Sequence, residues 1–133
     1  APAVSARTRI ATQQATINRI GRQVTALESA VEQAKAQLAS SEAALKRAGL
    51  DFDRQQALST KGFASRATFE VSEASRDQGA AAVRSAQAAH DAARDNVEVT
   101  RAQQAEARAQ LAELQTALAK AELEQELALL HRS

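Results

Sequence analysis

At 133 residues the chain has the length of one domain, but its 44% hydrophobic content is dominated by alanine, and it carries three Phe and no Tyr or Trp. That composition excludes a compact core built on large side chains and points to long helices, which one proline and four glycines scarcely interrupt. A net charge of +1 supplies no drive toward nucleic acid or an anionic membrane, and the lack of cysteine removes disulfides and thiolate metal sites.

No stretch approaches the ~20 apolar residues a bilayer span needs, and no signal peptide is visible. The chain opens Ala1-Pro2 and contains no methionine, so it is expected to be a fragment of a longer protein whose targeting information lies elsewhere.

The first predicted element is a helix over about residues 6–60. From Ile10 a strict heptad sets position a to Ile10, Ile17, Val24, Val31, Leu38, Leu45 and Phe52, apolar without a skip. Position d reads Gln13, Ile20, Leu27, Ala34, Ser41, Ala48 and Gln55. This is the coiled-coil period, and the expected seam is Ile10, Ile17, Ile20, Val24, Leu27, Val31, Leu38, Leu45 and Phe52. The small d residues from Ala34 to Ala48 let a partner helix approach closely.

The one convincing break follows at Ser59-Thr60-Lys61-Gly62-Phe63-Ala64-Ser65, a turn over about 61–65. Gly62 suits the left-handed position that ends a helix, which places Leu58 and Phe63 as the pair that touch in a Schellman motif. Ser65 reads as the N-cap of the next helix, with Ala64 and Phe69 as a hydrophobic staple. A connection this short forces the helices antiparallel.

The second predicted helix covers about residues 66–130. Its seam is weaker: Val83, Ala86, His90, Ala93, Val97, Thr100, Gln104, Ala107, Leu111, Leu114 and Leu118. Leu123, Leu127 and Leu130 then shift phase, which implies a change of supercoil or of partner. Charge agrees with the fold-back: Arg7, Arg9, Arg19 and Arg22 precede any acid, and Glu106, Glu113, Glu122, Glu124 and Glu126 collect at the far end. Gly49 and Gly79 fall nearly opposite each other in this register. The expected fold is all-α, a long antiparallel two-helix coiled-coil hairpin spanning residues 1–133.

Such a hairpin encloses no cleft for catalysis. His90 and His131 have no carboxylate or second histidine at ligand spacing, and no phosphate loop, GxSxG elbow or HExxH run is present. No enzyme activity, metal or other cofactor is expected. The basic Arg7–Arg22 stretch has no interleaved aromatics, so nucleic acid is not an expected partner. What remains is the turn, where Arg54 (position c) and Leu58 (position g) lie off the seam and share one helical face. A leucine there is accounted for equally by the Schellman contact or by an apolar anchor for a partner.

The spacing Arg54-x3-Leu58-x6-Ser65 resembles the Arg-Leu-Ser tip signature of periplasmic adaptor proteins, the HlyD/EmrA/AcrA/MacA-type membrane-fusion proteins. The segment Asp51–Ser65 resembles that family's hairpin turn, and the opening Arg9–Ile17 is similar to its EmrA- or HlyD-like branch. The resemblance implies an arm that links an inner-membrane transporter to a TolC-like outer-membrane channel, for multidrug efflux or type I secretion. It implies that Leu58 plugs a groove on the channel while Arg54 and Ser65 hydrogen-bond to it, with Phe63 beside them. It also implies self-association of hairpins around the channel mouth, and a periplasmic location with the parent protein anchored to the inner membrane. The transporter would be met through lipoyl and β-barrel segments that are not in this sequence, and Glu122–Ser133 does not match the family. The alternative is a purely structural coiled-coil spacer or oligomerisation rod with an inert turn.

Overall fold

The computed structural model describes residues 2–132, with side chains from Ala3 onward. Two helices account for nearly all of them: α1, Pro2–Thr60, and α2, Arg66–Arg132. No strand occurs among the described residues, and the chain forms the all-α helical hairpin its heptads anticipate. α1 begins ahead of residue 6 because proline, with its fixed φ and missing N–H, is well suited to the first helical position. α2 ends with the basic residues His131 and Arg132 in its last turn, and His131 Nδ1 lies 2.9 Å from the Leu127 carbonyl. Among the described residues no helix is long and apolar enough to cross a membrane.

Contacts group the chain into two units. The terminal unit combines residues up to Leu27 with those from Asn96 onward, and the turn unit is Glu28–Asp95. In the terminal unit Ile20, Val24 and Ala107 form a buried cluster, with Ile17 packed against it. Gln13 takes a seam position yet is satisfied: its Nε2 donates to the Ala107 carbonyl at 2.8 Å and to Gln110 Oε1 at 3.1 Å. A polar residue so placed fixes helix register, because sliding one turn would break both bonds. Buried Thr100 donates to the Asn96 carbonyl at 2.9 Å. Of the charges expected to choose the pairing, Arg7 and Glu122 meet, at 3.0 Å.

The phase shift has a simple outcome in this unit. Leu118, Ala121 and Glu122 are half-buried, and Leu123, Leu127, Leu129 and Leu130 are exposed. The late leucines have stepped off the seam.

In the turn unit, Phe52 is buried between two groups from α2. The Phe69 ring lies 5.3 Å away between centroids, tilted by 38°, and the Arg76 guanidinium carbon sits 3.9 Å from the Phe52 centroid. Ser72, 3% exposed, donates to the Phe69 carbonyl at 2.7 Å. The two glycines are not equivalent. A Cβ on Gly79 would come within 3.3 Å of the Leu45 Cα, whereas one on Gly49 would meet nothing within 4 Å. The close helix approach is therefore at Leu45 and Gly79, which lie equally far in sequence on either side of Gly62. Val31, Leu38 and Leu45 are half-buried. A seam with one neighbouring helix covers only one side of each side chain, and each half-covered leucine contributes about 1 kcal/mol.

Candidate docking surface at the turn

α1 ends by hydrogen bonding rather than by fraying. The Phe63 N–H donates to the Leu58 carbonyl at 2.8 Å and the Gly62 N–H to the Ser59 carbonyl at 3.0 Å, the two bonds of a Schellman ending. Gly62 carries the left-handed φ of 80° that this geometry demands. Ser65 opens α2: its Oγ accepts from the Thr68 N–H at 3.1 Å, and its carbonyl accepts from the Phe69 N–H at 3.1 Å. The Ser65 and Thr68 hydroxyls also share a hydrogen bond of 2.8 Å in which either can donate.

This frame sets the side chains. Phe63 is 77% exposed, so the Schellman backbone is made while most of the ring stays in water. Leu58 is half-buried. Arg54 is 69% exposed and reaches Asp51 only at 3.9 Å, and Ser65 is exposed apart from its capping bonds. Arg54 and Leu58 occupy one face of α1, four residues apart, while Phe63 and Ser65 belong to the turn itself. Beside them an open groove is lined by Ser59, Arg66, Phe69, Glu70 and Glu73, with Arg66 Nε 3.2 Å from Glu70 Oε1.

Among the described residues no group of His, Cys, Asp and Glu could hold a metal ion, and half-buried His90 has Asp91 Oδ1 3.4 Å from its Nδ1. The turn presents one bare aromatic, one half-covered leucine, a weakly held guanidinium and a pair of hydroxyls on a hydrogen-bonded backbone.

Two residues at the turn escaped the sequence reading. Arg76 supports Phe52, and Thr68 rather than a Glu or Gln completes the N-cap. The second was visible as Ser-x-x-Thr, and the first only as a cation seven residues after Phe69.

The family model described as RND MFP, alpha-helical hairpin domain, matches residues 30–100, just over half of the chain. The matched stretch contains the turn and excludes both the Arg9–Ile17 opening and the exposed leucines after Leu118. No curated protein and no solved structure matches the chain.

Proposed function

Since the chain belongs to the family of RND membrane-fusion-protein α-helical hairpin domains, we propose that it is the docking arm of a periplasmic adaptor, with its turn as the contact point for a TolC-like outer-membrane channel. The parent protein would be held at the inner membrane beside its RND-type transporter, and the arm's work would be mechanical, holding the channel in place for efflux. The observation that supports this most is the exposure of Phe63 and Arg54 on a turn whose backbone is fixed by the Schellman bonds and the Ser65 cap.

Leu58 would supply the apolar plug, and Arg54 and Ser65 the hydrogen bonds around it. One arm alone would bind weakly, because linked copies raise the effective concentration of each contact. The test is surface plasmon resonance of the hairpin, displayed as several tethered copies, against the cognate TolC-like channel. Arg54→Glu, at an exposed position, is expected to weaken binding at least tenfold with unchanged helicity by circular dichroism, and Leu58→Asp to abolish it. Equal binding by wild type and Arg54→Glu, or none by the tethered wild type, would return the chain to the spacer role.

A further inference from the structure

Charge is layered at the turn. From Arg54 to Phe69 the sequence carries Arg54, Lys61 and Arg66 and no acid, while Asp51, Asp53, Glu70 and Glu73 flank that stretch. Two of the cations lean back on these acids, Arg54 toward Asp51 and Arg66 onto Glu70. Lys61 does not. It is exposed where α1 ends, has no ion pair among the described residues, and stands two residues from Phe63. Its backbone is held in place, because its own N–H bonds to the Ala57 carbonyl at 3.3 Å and the Schellman bonds follow directly after it.

We propose that the turn recognises an acidic rim around an apolar cleft on a protein partner, with Phe63 entering the cleft alongside Leu58, and with Lys61 first to pair with the rim's carboxylates. This rests on the docking role and specifies the chemistry of its partner. The Arg54 and Arg66 pairs are exposed and intrahelical, so exchanging their acids for a partner's carboxylates costs little. The acids just behind them repel a carboxylate that approaches from the side, and so favour end-on approach. The same acids count against an anionic bilayer: over 51–73 the four acids outnumber the three cations, and a broad negative surface would face both.

The experiment uses the tethered hairpin and the same channel, over salt from about 50 to about 300 mM. Lys61→Glu is expected to slow association about tenfold at the low end, with the difference fading at the high end, as a screened rim charge requires. Lys61→Arg should associate like wild type, Phe63→Ala should dissociate faster, and Lys120→Glu, the same charge change far along α2, should leave binding unaltered. Wild-type binding that ignores Lys61→Glu, or falls equally with Lys120→Glu, overturns the acidic-rim proposal and leaves docking intact. Failure of wild type to bind at any salt removes docking and this proposal together. Vesicles of phosphatidylglycerol that capture wild type but not Lys61→Glu, with no capture by the channel, would assign the patch to a membrane and overturn the proposal.

Discussion

Gly62 sits where only glycine rests without strain. At φ 80° an alanine pays the left-handed penalty of about 1–2 kcal/mol, so Gly62→Ala should lower the thermal midpoint by that equivalent, and Gly62→Asn by less. Ser65→Ala removes the acceptor of the Thr68 N–H and should cost about 1 kcal/mol in the same measurement. The helical glycines make a sharper comparison. Gly49→Ala gains helix propensity with nothing in the way and should stabilise by up to about 1 kcal/mol. Gly79→Ala gains the same propensity but presses a methyl on the Leu45 backbone at 3.3 Å, so its midpoint should fall below that of Gly49→Ala. Equal midpoints would mean that the helices separate there without cost.

Among the elements, α1 was the more legible, and the reason is physical. Its a positions are large and unbroken from Ile10 to Phe52, and a two-helix seam needs little more than that to choose a face. The turn was equally readable, since a lone glycine between two alanine-rich helices dictates where the first must stop. The contacts around Phe52 were not, because which α2 residue meets it depends on register and rotamer, and neither is written in one strand of sequence. The outcome of the phase shift was not readable for a related cause: Leu123, Leu127 and Leu130 have helical spacing, but no element among the described residues covers them. Phe52→Ala should therefore cost about 3 kcal/mol, removing a buried ring along with its Phe69 and Arg76 contacts, whereas Phe63→Ala should stay within about 0.5 kcal/mol. Denaturant titration of the two variants checks the contrast.

For the molecule as a whole, each unit draws on contacts of its own, Phe52 with Phe69 and Arg76 in one and Ile17, Ile20, Val24 and Ala107 in the other. Damage should stay in the unit where it is made. Phe52→Ala is expected to accelerate amide hydrogen exchange within 28–95 while leaving the amides of Ile20 and Val24 near their original rates. A uniform acceleration along both helices would show a single cooperative block instead. Leu127→Gln and Leu130→Gln should change stability by less than about 0.5 kcal/mol, since their side chains already face water.

The shared bond between Ser65 and Thr68 has a consequence for how tolerant the turn is of its target. Two hydroxyls hold two protons, and one bond between them consumes one. Whichever oxygen accepts, the other proton is spare, and rotating both hydroxyls moves that spare donor 2.8 Å without displacing a heavy atom. The turn thus offers one donor at two alternative addresses. Under the docking role proposed above, a partner acceptor slightly out of line is met by a proton flip instead of a backbone adjustment.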